Sequence, residues 1–325
     1  MTSYSIAIRT LGTAGEKYLD ELRSISQQTI QPEKVVVYIA EGYERPKEQI
    51  ANEQYVWVPK GMMAQRALPY NEIASDCILL LDDDIMLAPD IAERMLTALE
   101  TNHADCVGVD IFYTQDLPFV GKIYAAVTNL VFPRPDDGWA FKIHRNGSFS
   151  YNNQPKSAYY PSESCAGACS IWRKDALLRT HLEHELWTER EGFWYGEDVL
   201  LFYKLHLNGG RLGILYNSGV THLDGGAASH SQRNDLKKYY IRAKASALIW
   251  HRTIYSVHQH RDGIALLAFS LKQVWLFLVN CIAGIVLFKP QIPFLFIKGL
   301  RDAYRFTQTE HYRTLTPFKQ NTPVR

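Results

Sequence analysis

An apolar run, Ile78-Leu79-Leu80-Leu81, ends in Asp82-Asp83-Asp84. Carboxylates packed that closely repel one another, and the arrangement persists best when a cation compensates them. Hard ions such as Mg2+ take oxygen ligands and are commonly held by one or two carboxylates together with substrate phosphates. Alternate side chains of an extended strand share a face, so Asp82 and Asp84 can address one site while Asp83 faces elsewhere. A solvated acidic turn is the competing reading. A second acidic pair, Glu197-Asp198, follows Trp194-Tyr195-Gly196 where a helix is expected to begin. The positive end of the helix dipole favours the ionised carboxylate there. That suits a general base and equally suits an N-cap. A third group is Thr221-His222, ahead of Leu223-Asp224-Gly225-Gly226. Imidazole is a common metal ligand, although a lone histidine is more often structural. His181 and His184 read as a solvated helix face without an evident third ligand.

The elements that must position these groups follow from hydrophobic periodicity. Strands are expected at residues 5–8, 34–39, 77–81 and 107–112, and helices at 16–28, 62–75 (broken or kinked by Pro69) and 89–100. Such βαβ alternation implies an α/β fold with a parallel sheet covered by helices, where ligands collect at the carboxyl ends of strands. Residues 141–151 read as a hairpin around Asn146-Gly147, and 196–208 as a helix closed by Gly209-Gly210. Short strands are expected at 211–216 and 220–222. Residues 235–252 form a basic helix candidate, and 264–288 are a 25-residue apolar stretch interrupted by Lys272, Gln273 and Asn280. The longest part without formal charge, 273–288, has 16 residues, fewer than the roughly 20 that a spanning helix needs. A buried core helix, an interfacial or re-entrant helix and a marginal span all remain open.

Composition bounds the whole. With 325 residues the chain is long enough for about two structural units. Its 46% hydrophobic and 21% charged residues exclude a disordered or fibrous chain. The net charge of +1 hides an asymmetry: residues 231–325 hold 15 Lys and Arg against 4 Asp and Glu, and residues 1–230 hold 20 against 30. The expected organisation is an acidic α/β unit at 1–230 and a basic, apolar helical region at 231–325 facing an anionic membrane surface. Five widely spaced cysteines argue for reduced thiols. The first residues lack both a basic and a long apolar segment, so no secretory signal is expected. A cytoplasmic location at the inner face of the cell membrane is expected, with no nucleic-acid partner.

The order of these elements resembles the inverting glycosyltransferases of family 2, of the bacterial type with a membrane-associated C-terminal region. The resemblance rests on Ile6-Ala7-Ile8-Arg9-Thr10 for the first strand and on Ser24-Ile25-Ser26-Gln27-Gln28-Thr29 for a helix-end pattern. Gln65-Arg66-Ala67 stands where the family often has Ala-Arg-Asn. Leu81-Asp82-Asp83-Asp84 resembles the D-x-D element, Gly196-Glu197-Asp198 the E-D element, and Thr221-His222 the late histidine. Tyr239-Tyr240-x-Arg242-Ala243-Lys244 is similar to the last motif, with Lys244 in place of the frequent Asn. The match covers residues 4–250. At the second strand it departs, since Glu41 is the only acid near Val37-Tyr38-Ile39-Ala40.

What the resemblance implies is a GT-A nucleotide-diphospho-sugar transferase fold, Rossmann-like with a mostly parallel sheet. It further implies transfer of a sugar from a nucleotide sugar, a UDP-sugar as first expectation, to an acceptor hydroxyl with inversion, in polysaccharide or cell-envelope glycan synthesis. Mn2+ or Mg2+ would be held by Asp84, Asp82 and His222. Thr10, Glu41, Arg66, Asp82, Asp83 and Arg233 would contact the nucleotide sugar. Asp198 would be the general base, with Glu197 as the lesser candidate. Trp194, Tyr195 and Gly167 would line the site of a glycan or lipid-linked acceptor. A Mg-dependent nucleotidyl- or phosphotransferase and a non-catalytic, membrane-docked carbohydrate-binding protein are the competing classes.

Overall fold

The computed structural model describes residues 2–50, 52–111, 138–192, 195–223, 236–257 and 262–319. Twelve strands are described: β1 Tyr4–Thr10, β2 Val35–Ala40, β3 Glu53–Val58, β4 Cys77–Asp82, β5 Ile85–Met86, β6 Cys106–Val109, β7 Phe141–Ile143, β8 Phe149–Tyr151, β9 Tyr159–Ser162, β10 Cys169–Arg173, β11 Leu212–Leu215 and β12 Thr221–His222. Eight of them form one sheet in the order β3-β2-β1-β4-β10-β6-β11-β9. Strand β10 runs antiparallel between β4 and β6, and β9 runs antiparallel to β11 at the edge. The other six share one direction. β5 pairs with β12 in a separate ribbon, and β7 pairs with β8.

The helices are α1 Glu16–Ser26, α2 Ile91–Thr101, α3 Lys174–Arg179, α4 Trp187–Arg190, α5 Glu197–Leu207, α6 Lys237–Trp250, α7 Gly263–Val286, α8 Gln291–Thr307 and α9 Glu310–Arg313. The central strands are apolar on both faces because helices cover both. Ile6, Ile8, Leu79 and Leu81 pack with Leu22 of α1 and Met95 of α2. Ala7, Ile78, Leu80 and Trp172 pack with Leu200 and Phe202 of α5. The α/β class read from the sequence is the architecture observed, with a helical C-terminal extension. The five cysteines are free, four of them buried.

Two expectations need correction. Residues 62–75 are not a helix: the backbone N–H groups of Gln65, Arg66 and Ala67 donate into local turns, and Tyr70 adopts a left-handed φ of 49° just after Pro69. The strand expected at 107–112 spans Cys106–Val109, and residue 112 lies outside the described residues. Strands β3, β9 and β10 lie outside the expected elements, and tertiary pairing makes them; helix α8 does too, although Ile292, Phe296, Gly299 and Ala303 recur at helical spacing on its buried face.

The tail docks closely on the body, with Trp250 Nε1 donating to the Arg145 carbonyl oxygen at 2.8 Å and Lys244 Nζ to Glu191 Oε2 at 2.6 Å. Gly299 of α8 lies so near α6 that a Cβ would sit 2.4 Å from the Tyr240 carbonyl oxygen. Helix α6 widens into a π-helical turn, His251–Tyr255. Helix α7 begins at Asp262, whose side chain accepts from the Ala265 N–H at 2.9 Å. It has 24 residues, and with a mean hydropathy of 1.7 over an 18-residue window it is long and apolar enough to cross a membrane. Lys272 lies inside the helix, which is therefore longer than the 16-residue charge-free run.

Candidate active site

Several segments converge at the carboxyl ends of β1 and β4. These strands are parallel neighbours with Arg9 opposite Asp82. Arg9 Nη2 donates to Asp82 Oδ1 at 2.8 Å and to the Gly167 carbonyl at 2.7 Å. Thr10 Oγ1 donates to Asp83 Oδ2 at 2.5 Å. Because β4 stops at Asp82, a turn through Asp83 and Asp84 fans the three carboxylates apart, where strand alternation had been expected. The turn leads into β5, whose Ile85 lies opposite His222 of β12. That ribbon sets His222 Nε2 3.0 Å from Asp84 Oδ2. The Asp110 carboxylate fixes the approach to β12 by accepting from the N–H groups of Asn217 and Ser218.

Arg66 stands at the centre. Its Nη2 lies 3.8 Å from Asp82 Oδ1, 3.8 Å from Glu197 Oε1 and 4.0 Å from Asp198 Oδ1. Burial opposes its charge, but the three carboxylates outweigh burial and hold its pKa above the ordinary value. Glu189 of α4 shapes the loop that carries Arg66, accepting from the N–H groups of Met63 at 2.5 Å and Ala64 at 3.1 Å.

Helix α5 presents the second acidic pair. Its N-cap, Gly196, has φ 89°, and a Cβ there would lie 2.3 Å from Ile249 Cδ1. Only glycine allows this left-handed turn and so close an approach to α6. At Gly167 a Cβ would lie 2.0 Å from Asp198 Oδ1, so a side chain there would displace that carboxylate. Burial raises the pKa of Asp198, against the pull of Arg66 and of the Gly167 N–H. Burial, then the charge of Asp198, pushes Glu197 up to about 7. Asp198 Oδ1 is buried without a hydrogen-bond partner, while the side chain as a whole is 33% exposed. Asp83 rises to about 6 through burial, which the Thr10 hydrogen bond only partly offsets, and through Asp82 and Asp84. Glu21, fully buried on α1, is pushed well above its ordinary range by burial and then by the same aspartates.

The structure thus brings together Thr10, Arg66, Asp82, Asp83, Asp84, Gly167, Glu197, Asp198 and His222. Tyr195 lines a cavity of about 890 Å³ with Glu197 and Asp198. Glu41 sits exposed after β2, its N–H donating to the Val58 carbonyl. Arg233 and Trp194 lie outside the described residues. Sequence reading missed Arg9, Glu21, Glu189 and Asp110. Arg9 had a readable signal, a charge inside an apolar strand that burial obliges to find partners; the others act across long sequence separations. His181 and His184 meet Glu183 on an exposed 3-10 turn, with ligand atoms within 4.8 Å of one another, so a third donor exists after all.

Asp84 and His222, 3.0 Å apart, are a carboxylate and an imidazole of the kind that hold Mn2+ or Mg2+, while Asp82 is engaged by Arg9. Burial first, and the neighbouring carboxylates after it, push Asp83, Glu197 and Glu21 upward, and a bound cation would offset the carboxylate part.

No protein-family model matches the chain, and no curated protein matches it. Among solved structures it is similar to GalNAc-T7 with UDP, GalNAc and Mn2+, at 13% identity over 76% of this chain, with a TM-score of 0.46. The match covers 51% of that protein, so the chain spans about half its length. A likeness that distant carries no weight for the chemistry.

Proposed function

We propose that this chain is a metal-dependent glycosyltransferase of the GT-A type, with a catalytic unit at residues 1–230 and a membrane-facing region at 231–325. It moves a sugar from a nucleoside-diphosphate donor to an acceptor hydroxyl with inversion, in polysaccharide or envelope glycan synthesis. One observation carries this reading: Arg66 stands between Asp82 at the end of β4 and the Glu197/Asp198 pair that opens α5. A strand end suited to a metal diphosphate thereby shares a guanidinium with a pair suited to accept a proton.

Asp84, Asp82 and His222 would hold a divalent cation, which would neutralise the charge that builds on the leaving diphosphate. Arg66 adds a fixed positive charge beside that group. Thr10 holds Asp83 at the donor side of the cluster. Asp198 takes the acceptor proton as the acceptor oxygen attacks the anomeric carbon from the face opposite the diphosphate. Its raised pKa brings the base towards neutral pH, where general-base catalysis is most efficient. The Gly167 backbone and Arg66 oppose that rise.

The test is to incubate the full chain with a panel of nucleotide sugars, UDP-sugars first, and to measure nucleoside diphosphate release with Mn2+ or Mg2+. Cation-dependent release is expected. Release that a chelator leaves untouched sinks the metal assignment, and silence across the panel sinks the transfer reaction.

A further inference from the structure

His181 and His184 do not sit on a regular helix face. His181 takes a left-handed φ of 46° ahead of the 3-10 turn Leu182–Glu185, and the His184 N–H donates to the His181 carbonyl at 3.1 Å. Such a turn has about three residues, so side chains three apart eclipse. The two imidazoles accordingly stack, with ring centroids 5.4 Å apart and 15° between their planes. Glu183 leans in from the same turn, its Oε1 3.0 Å from His181 Nδ1. One ligand atom from each of the three side chains lies within 4.8 Å of the others. Ligands held about 2.0–2.1 Å from one tetrahedral Zn2+ lie roughly 3.4 Å apart. The pair of His181 and Glu183 is already that close, and both side chains are about half exposed, free to rotate and close the remaining gap. A further observation points to a ligand. His184 Nδ1 is buried and has no hydrogen-bond partner among the described residues. A buried ring nitrogen left unmet costs free energy, and satisfied ones are the rule.

We propose that His181, Glu183 and His184 bind Zn2+ at a site separate from the catalytic centre. The donor set selects the ion: two imidazoles and one carboxylate suit a borderline metal, whereas Mg2+ and Ca2+ take oxygen ligands. Water fills the fourth position. The backbone beneath the site is held before the ion arrives, because Lys204 Nζ donates to the His181 carbonyl at 2.9 Å and to Glu185 Oε1 at 3.0 Å. A scaffold fixed in that way loses less freedom on binding. Glu185 follows His184 directly and accepts from Arg252 Nε and Nη2. The ion therefore braces the turn that presents Glu185 to the C-terminal region. Nothing in this depends on the transferase reading, since the site needs neither a nucleotide sugar nor turnover.

The test is the number of Zn2+ ions bound by the full chain, titrated against a chromophoric chelator, in wild type and in the double variant His181→Gln/His184→Gln. The double variant is expected to bind one Zn2+ fewer, and excess Mg2+ is expected to leave that difference in place. Any Zn2+ held by Asp84 and His222 is common to both proteins and cancels. Equal stoichiometry overturns the site, and a difference that Mg2+ erases overturns the selection of the ion by imidazole. Should the double variant fail to fold, His181→Gln and Glu183→Gln change half-exposed side chains one at a time. Each is expected to weaken the same Zn2+ at least about tenfold, and unaltered affinity in both overturns the assignment. Thermal melts test the bracing role: Zn2+ is expected to raise the melting temperature more in wild type than in the variants, and equal rises overturn that role.

Discussion

Glu185 and Asp198 are both acidic side chains held against an arginine inside the protein, yet their surroundings are opposite. Glu185 is fully buried, and its two oxygens accept four hydrogen bonds: Lys204 Nζ at 3.0 Å, Arg252 Nη2 at 2.9 Å, Arg252 Nε at 3.0 Å and Trp187 Nε1 at 2.9 Å. Burial pushes its pKa up, but Arg252 and Lys204 outweigh burial and hold it below the ordinary range. Asp198 shares Arg66 with Asp82 and Glu197 at 3.8–4.0 Å, and its Oδ1 has no hydrogen-bond partner. A balanced cluster needs nothing more and clamps the C-terminal region to the body. An over-acidic cluster is poised for a cation, a proton or a substrate, and buried groups of that kind concentrate at functional sites.

The sharpest way to break this contrast is Asp198→Asn. The amide keeps the shape and removes a charge repelled by Glu197, so the melting temperature is expected to hold or rise. Turnover is expected to fall by about two to four orders of magnitude, the range for loss of a general base. A melting temperature that drops while turnover survives would make Asp198 structural, like Glu185.

The converse is Arg252→Met. It leaves Glu185 with Lys204 and Trp187 alone inside the protein, and removing one partner of a buried pair costs about 3–5 kcal/mol. Chemical denaturation monitored by tryptophan fluorescence reads this loss directly. A cost below about 1 kcal/mol, typical of exposed pairs, would show that the Glu185 cluster does not hold the tail.

Legibility in the sequence divides along the same line. The over-acidic cluster was readable because adjacent carboxylates at Asp82-Asp83-Asp84 and at Glu197-Asp198 are improbable without a reason, and the reason is local. The balanced cluster was not, because Glu185, Lys204 and Arg252 are ordinary charges until three distant segments meet. The same holds for the fold. β1, β2, β4, α1, α2 and α5 were visible from their own periodicity, as was the hairpin of β7 and β8. The insertion of β10 between β4 and β6 is a matter of long-range pairing, which Cys169-Ser170-Ile171-Trp172-Arg173 does not announce. Residues 62–75 misled because their helical spacing competes with Pro69 and with Glu189, which captures the Met63 and Ala64 N–H groups from afar.

The smallest expected effect is the most discriminating. Glu197, pushed up to about 7 by burial and by Asp198, titrates with Asp198 as one unit, and the protons leave in two linked steps. The base acts only when ionised, so wild-type turnover is expected to fall as pH drops through the neutral range. In Glu197→Gln the like charge is gone, Asp198 ionises more readily, and the acid limb moves to lower pH. The variant therefore outperforms the wild type relative to its own plateau on the acid side, while the plateaus differ by less than about tenfold, because Glu197 does not itself accept the proton. Stability follows with a definite sign. A carboxyl whose folded pKa is raised stabilises fully below its unfolded value, about 4.3, and loses that contribution as pH rises through its folded value. Wild type is thus expected to lose stability relative to Glu197→Gln between those two values, and thermal melts across that window read the divergence. An acid limb that stays in place would mean that Glu197 does not set the affinity of Asp198 for its proton, and the over-acidic cluster would lose the feature that separates it from Glu185.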